Sequence, residues 1–287
     1  MKLTTTGDQP FRICQLTDIH LGATPLNAAS QQTLAAIDHL LATQDFDLIM
    51  LTGDLLWGKE VQRPDQTLTA LYGTLNQYPV PVAVTYGNHD GEGPYTRAKL
   101  RELESLIRYP ADKHQAMVTN DRESYTLEVT RDGQLAHVFY VWDSGAYSHW
   151  PSDEQYAAIE PEQIDWFYRL PYARTVDQVD LGFIHIPLPE YQLAAAHVMT
   201  GGKNEEICSP VTNSGLFYSL KRAGNVKALF AGHDHDNNFT GTTGGIDLNY
   251  GNVTGYNTYG TLPRGARTIS VWSDHYETDV ILFPTED

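Results

Sequence analysis

Apolar runs of strand length alternate along this chain with segments whose apolar residues recur at helical spacing. FRICQLT, 11–17, is an unbroken run and predicts a buried strand. In NAASQQTLAAIDHLLATQ, 27–44, Leu34, Ile37, Leu40 and Leu41 recur with a helical period. A second apolar run, FDLIMLT (46–52), leads to a second helix over PDQTLTALYGTLNQY (64–78), with Pro64 near its start. VPVAVTY, 80–86, predicts a third strand, and YTRAKLRELESLIRY, 95–109, a third helix stopped before Pro110. Three strand–helix alternations with short connections predict a parallel α/β sheet.

The pattern then changes. ESYTLEVTRDGQLAHVFYVWDSG, 123–145, holds two strand-like runs around Asp132-Gly133, a hairpin signal. A helix is expected over 161–172 after Pro161, a buried strand over 179–188, a helix over 212–224 ending at Gly224, and the strand VKALF, 226–230. The last fifty residues, rich in Gly, Tyr and Thr, read as antiparallel strands. With no linker, repeat or low-complexity tract, the expectation is an α/β fold in one domain, 1–287: a four-layer αββα sandwich of two mixed β-sheets flanked by helices.

Composition narrows the function classes. The 287 residues are 41% hydrophobic and 19% charged, with a formal net charge of −17. That charge disfavours phosphate backbones, so nucleic acid is an unlikely partner, and it gives an anionic membrane surface no attraction. Of the two cysteines, Cys14 sits in an apolar run and is expected to be a buried thiol, and Cys208 sits in an expected loop. Neither suggests a disulfide framework. MKLTTTGDQP shows no apolar core of a signal peptide, and no run approaches the roughly 18 apolar residues of a membrane span. A cytoplasmic location follows by default.

The candidate chemistry lies where the strands end. Run 11–17 leads into Asp18 and His20, run 46–52 into Asp54, and run 80–86 into Asn88, His89 and Asp90. Run 179–184 leads into His185, and run 226–230 into His233 and His235. In an α/β sheet the loops after the carboxyl ends of strands gather at one edge, so these five segments should converge. The two-residue spacing of Asp18/His20 and of His233/His235 would point each pair to one side of an extended backbone. Carboxylates, imidazoles and one carboxamide, without thiolate, suit divalent Mn, Fe, Zn or Co. Seven candidate ligands exceed one tetrahedral ion and fit two metals, one carboxylate bridging ions about 3.5–4 Å apart. The glycines before Asp54, Asn88 and His233 would let the chain turn sharply there. Singly, each block has a bland explanation: Asp-x-His is common, GNHD can be a plain turn, and His185 can be a core histidine.

In order, DxH, GD, GNHD, H and GHxH resemble the five-block signature of the calcineurin-like metallophosphoesterases, the superfamily that includes the purple acid phosphatases. The stretches FIHIPLPEY, CSPVTNSGLF and AGHDHDN resemble the subgroup related to purple acid phosphatases and to a yeast phosphatase-like protein. The resemblance implies two divalent metal ions, Mn, Fe or Zn. Asp18, His20, Asp54 and His235 would hold the first ion. Asp54, Asn88, His185 and His233 would hold the second, with Asp54 as bridge. His89 would protonate the leaving oxygen and Asp90 would orient a neighbouring histidine. The implied activity is hydrolysis of phosphate esters by a metal-bound hydroxide, first of all of phosphomonoesters. The substrate would be a small molecule or a phosphoprotein. A phosphodiesterase of cyclic nucleotides or other small diesters is the alternative, and an idle scaffold on the same fold the second.

One position departs from the purple acid phosphatase pattern. Where those enzymes carry a metal-bound tyrosine, three residues after the bridging aspartate, this chain has Trp57. Indole cannot be that ligand, so no ferric–phenolate colour is expected and the first site should take a divalent ion. Residues 241–245 read as a tight hairpin rather than a phosphate loop. The Tyr-rich stretch 249–260 reads as strand and loop packing in preference to a groove lining. His39, His114, His137, His149, His197 and His275 are expected to play no part, and His39 to be at the surface. Specificity is expected to reside in loops 143–160 and 187–212.

Overall fold

A computed structural model describes residues 1–150 and 155–284. The four middle residues of the expected specificity loop 143–160, 151–154, therefore lie outside the described residues.

Local signals account for most element boundaries. The first helix, Ala28–Thr43, starts where the Asn27 side chain accepts the Ser30 N–H at 2.8 Å. Pro64 and Pro161 open the helices Pro64–Leu75 and Pro161–Arg169, where a missing N–H costs nothing. The latter also carries a capping box between Glu160 and Gln163. It stops short of the expected 172 because Leu170 precedes Pro171 and takes extended backbone. The third helix is shorter than expected, Arg97–Leu103, since the chain leaves through a 3₁₀ turn to lay Pro110 beside Val82. Leu216–Ala223 ends at Gly224 in left-handed backbone. Asp132 and Gly133 form the hairpin turn between Arg122–Arg131 and Gln134–Trp142.

The strands build two mixed sheets. The smaller runs Tyr276–Leu282, Gly265–Val271, Phe11–Leu16, Leu48–Thr52, Val82–Thr85. Its last three strands are parallel and the first two pairings antiparallel. The larger runs Leu3–Thr5, Arg122–Arg131, Gln134–Trp142, Asp180–Phe183, Val226–Ala231, Ile246–Tyr250, Thr240–Thr243, Val198–Thr200, with His114–Thr119 also against Arg122–Arg131. The C-terminal strands are thus not all antiparallel: Ile246–Tyr250 pairs parallel with Val226–Ala231 and antiparallel with Thr240–Thr243 across the expected 241–245 turn.

Three apolar layers hold this together. Phe11, Ile13, Leu48 and Met50 of the smaller sheet meet Leu127, Phe139, Leu181 and Phe230 of the larger one. On the outer side of the smaller sheet, Leu16, Ile49 and Leu51 pack on Ile37, Leu40, Leu68 and Leu100 of the first three helices. Outside the larger sheet, Tyr140, Trp142 and Leu229 pack on Phe167, Leu216 and Leu220. The order is helix, sheet, sheet, helix, as expected. Cys14 is buried and His39 exposed, also as expected.

Candidate metal centre

Phe11–Leu16, Leu48–Thr52 and Val82–Thr85 from one sheet, and Asp180–Phe183 and Val226–Ala231 from the other, point their carboxyl ends to one edge. The candidate ligands follow there. Asp18 donates its N–H to Gly53 O at 3.1 Å, and His20 to Asp54 O at 2.9 Å, so the first two loops run side by side. The Asp18 carboxylate accepts the backbone N–H of His233 at 3.1 Å on each oxygen, which ties the first loop to the last.

The backbone here differs from the expected extended form. Asp18 (φ 52°), His20 (φ 45°), Asp54 (φ 51°) and His233 (φ 82°) all lie in the left-handed region. Each such non-glycine residue costs about 1–3 kcal/mol, so the folded core holds the ligands against local preference. The glycines also act differently from a simple sharp turn. Of the three before ligands, only Gly53 has positive φ. Gly87 is needed for close approach: a Cβ there would stand 2.2 Å from Asp54 Oδ1 and 2.5 Å from Asp54 N.

The ligand atoms form two buried groups, Asp18, His20, Asp54 and His235, and Asp54, His185 and His233, each within 4.8 Å of one another. Asp54 belongs to both. Its Oδ1 accepts the His89 N–H at 2.8 Å. Its Oδ2 faces His185 Nε2 at 3.2 Å and His20 Nε2 at 3.7 Å. The Asn88 Oδ1 lies 3.2 Å from the same His185 Nε2 and so joins the second group. His235 Nε2 is 3.2 Å from His20 Nε2 and 3.4 Å from Asp18 Oδ1.

Partners behind the ring aim these histidines. His185 Nδ1 sits 2.9 Å from Thr52 O, so it donates there and leaves Nε2 as the ligand atom. His235 Nδ1 is 2.6 Å from Thr258 Oγ1. Burial pushes the His20 and His233 imidazoles down to about 3, which keeps both neutral. Burial opposes charge on Asp18 too, but the bond from His235 and its charge outweigh it and hold the carboxyl down to about 2.

This donor set fits divalent metal. The Nε2 atoms of His20 and His235, 3.2 Å apart, can lie this close only with a proton or a cation between them. Asp54 Oδ2 and His233 Nε2 are buried and make no hydrogen bond. Bonds of about 2.0–2.2 Å to one ion place neighbouring ligand atoms about 3.0–3.5 Å apart, close to the separations seen.

Of the two residues expected to act beside the ligands, His89 lies where its expected role requires and Asp90 makes other contacts. His89 stands beside the centre, its ring centroid 5.3 Å from that of His20, and its side chain is 39% exposed among buried neighbours. Asp90 orients no histidine. Its carboxylate accepts four backbone N–H groups, from Asp54, Leu55, Leu56 and Gly87, at 2.7–3.0 Å. It therefore clamps the GD loop to the GNHD turn. The residue that does touch His89 is Glu92, with Oε2 at 3.0 Å from Nδ1.

Sequence reasoning also missed an aromatic wall. Tyr156 meets His233 edge-on with centroids 4.4 Å apart, Tyr259 lies against His235 at 4.2 Å, and Trp57 against His20 at 5.1 Å. Tyr259 belongs to the stretch 249–260. Tyr250 of that stretch packs in the core, as expected, whereas Tyr259 is 56% exposed and reaches the site. Nothing in local sequence marks Tyr156. Of the remaining histidines, His137 is a core residue bonded to Val179 O at 2.8 Å.

Comparison with known proteins agrees with the geometry. The family model for calcineurin-like phosphoesterases matches residues 11–237, which span every candidate ligand. Among curated proteins, the chain is similar to "Probable inactive purple acid phosphatase 29" of Arabidopsis thaliana, 28% identical over 94% of this chain and 79% of that one. It is also similar to "Phosphatase DCR2" of Saccharomyces cerevisiae, 27% identical over 83% of this chain and 46% of that one. Among solved structures, a dimetal phosphatase from Danio rerio superposes with a TM-score of 0.66 at 15% identity, covering 96% of this chain and 100% of that one. That identity speaks for the fold alone. With its ligand segments all inside the matched region, the chain belongs to the calcineurin-like phosphoesterases, hydrolases acting on phosphoric ester bonds.

Proposed function

We propose that this chain is a phosphomonoesterase with a dinuclear centre of divalent Mn, Fe or Zn. The observation that carries the reading is the pair of buried ligand groups sharing Asp54. Asp18, His20, Asp54 and His235 would hold one ion, and Asp54, Asn88, His185 and His233 the other. When bound, the ions would supply Lewis acidity that activates water and offsets phosphate charge. The chain supplies the rest. Asp54 Oδ1 is fixed by the His89 N–H, which leaves Oδ2 to face both groups. His89, partly exposed beside them, holds a proton for the leaving oxygen, help typically worth about 10²–10⁴-fold. The names of the two relatives, which speak of phosphatases, support monoesters over diesters. Two free thiols, Cys14 and Cys208, suit a reducing compartment, and the cytoplasm is the location we propose. No helix among the described residues is long and apolar enough to cross a membrane.

A second reading, an idle scaffold, is favoured by the word "inactive" in the name of the Arabidopsis thaliana relative. The complete ligand set in this chain weighs against it. The test strips the protein with chelator and restores Mn²⁺, Zn²⁺, Fe²⁺ or nothing. An aryl phosphomonoester and an aryl phosphodiester are offered, with Asp54→Ala as blank. Metal-restored monoester turnover, absent from the blank, is expected. Faster diester turnover would reverse the substrate class. Silence under every metal, in protein that retains the ions, would favour the scaffold.

A further inference from the structure

The geometry points to Glu92 as a positioning residue for His89, itself held by Tyr147 and given room by Gly58. This rests on the reading of His89 as the proton donor. The local fold brings the pair together: Glu92 follows the 3₁₀ turn His89–Gly91 and donates its N–H to His89 O at 3.2 Å. That turn folds the carboxylate back under the imidazole, Oε2 to Nδ1 at 3.0 Å. The other oxygen, Oε1, accepts the Tyr147 hydroxyl. Both carboxylate oxygens are thus committed, one to the ring and one to a residue 55 positions away. Tyr147 also lies 3.5 Å from Asn88 Nδ2, so the same hydroxyl touches a candidate ligand.

Gly58 closes the arrangement from the third side. It has φ +51°, and a Cβ there would stand 2.2 Å from Glu92 Oε2 and 3.3 Å from His89 Nδ1. Any side chain at 58 would push the carboxylate off the ring. Two further segments, at Tyr147 and Gly58, therefore fix the carboxylate that meets His89 Nδ1, more than a surface ion pair needs.

The chemical consequence is directional. With Nδ1–H donated to Glu92, Nε2 is the nitrogen left to face substrate. As the bond from phosphorus to the leaving oxygen breaks and that from phosphorus to the attacking water forms, the leaving oxygen takes the Nε2 proton. The imidazole keeps Nδ1–H on Glu92 and regains its second proton from solvent, which receives the one released by the water. A good leaving group needs little of this help, and a poor one needs all of it.

The experiment compares an alkyl phosphate with 4-nitrophenyl phosphate on metal-loaded wild type, Glu92→Ala, Glu92→Gln, Tyr147→Phe and His89→Ala. Glu92→Ala should lose about 100-fold in kcat on the alkyl ester and under about tenfold on the nitrophenyl ester. Glu92→Gln keeps an acceptor without charge and should fall between. Tyr147→Phe should show the same selectivity more weakly. Adding Glu92→Ala to His89→Ala should cost little more, because the two act as one unit. In metal-free protein above neutral pH, ¹H–¹⁵N spectra should find the His89 proton on Nδ1 in wild type and shifted toward Nε2 in Glu92→Ala. Equal losses on both esters, additivity with His89→Ala, or an unchanged tautomer overturns the role of Glu92. Loaded wild type that turns over neither ester overturns the phosphoesterase reading, and the role of Glu92 with it.

Discussion

Gly87→Ala would test the centre through a residue that is not a ligand. The glycine is buried in ordinary backbone without positive φ, so alanine brings no conformational strain. Its methyl would stand 2.2 Å from Asp54 Oδ1, 2.5 Å from Asp54 N and 2.7 Å from Asp54 Cγ. Ordinary contact begins near 3.4 Å, so Asp54 or the turn must retreat by roughly 1 Å, an overpacking cost of about 1–3 kcal/mol. Asp54 is shared by both groups, so one displacement disturbs both. A misplacement of about 1 Å at a reacting centre costs about 100-fold in rate. Two readouts follow. Bound metal per chain, measured by elemental analysis after loading, should fall from two to one or fewer. Each ion at about 100 times its Kd stabilises a folded state by about 2.7 kcal/mol, about 4–5 °C for a chain of this size. That rise should appear in wild type and nearly vanish in Gly87→Ala. A variant that folds, binds two ions and shows the full rise would refute the close-approach argument.

Other consequences can be checked separately. Asp54→Asn removes the shared carboxylate, so stoichiometry should drop below two and turnover by at least about 100-fold, as expected from losing several kcal/mol of charge stabilisation; unchanged metal content would show that Asp54 does not bridge. Asp180 is buried, and burial pushes it up to about 6 despite bonds from Val138 N, Asn225 and Tyr140. Its folded pKa exceeds the unfolded 3.8, so the folded state holds the proton more tightly and stability should fall as pH rises from about 4 to about 6. The loss is up to about 3 kcal/mol. Urea titrations of wild type and Asp180→Asn should differ by this slope, and parallel curves would exclude it. Loaded with ferric iron, the protein should show no visible phenolate band, because Trp57 occupies the position facing His20; a band in the visible spectrum would identify a tyrosine ligand.

Much of this protein was legible in its residues alone. Strand runs ending in Asp18, Asp54, Asn88, His185 and His233 state locally where each segment stops. Parallel pairing then requires those stops to meet at one edge, as they do. The helix starts at Asn27, Pro64 and Pro161 are equally local, since capping depends on a few neighbouring residues. Only tertiary structure decided the rest. The left-handed backbone at Asp18, His20, Asp54 and His233 opposes local preference and is held by contacts such as His233 N to Asp18, 215 positions apart. The family resemblance implied that Asp90 would orient a neighbouring histidine. The fold uses Asp90 to tie down four amides and gives the imidazole to Glu92. Tyr147, Tyr156 and Tyr259 carry no local mark because loops have no periodicity to read. Where such a side chain arrives depends on the two sheets packing first, a property of the whole chain rather than of any stretch of it.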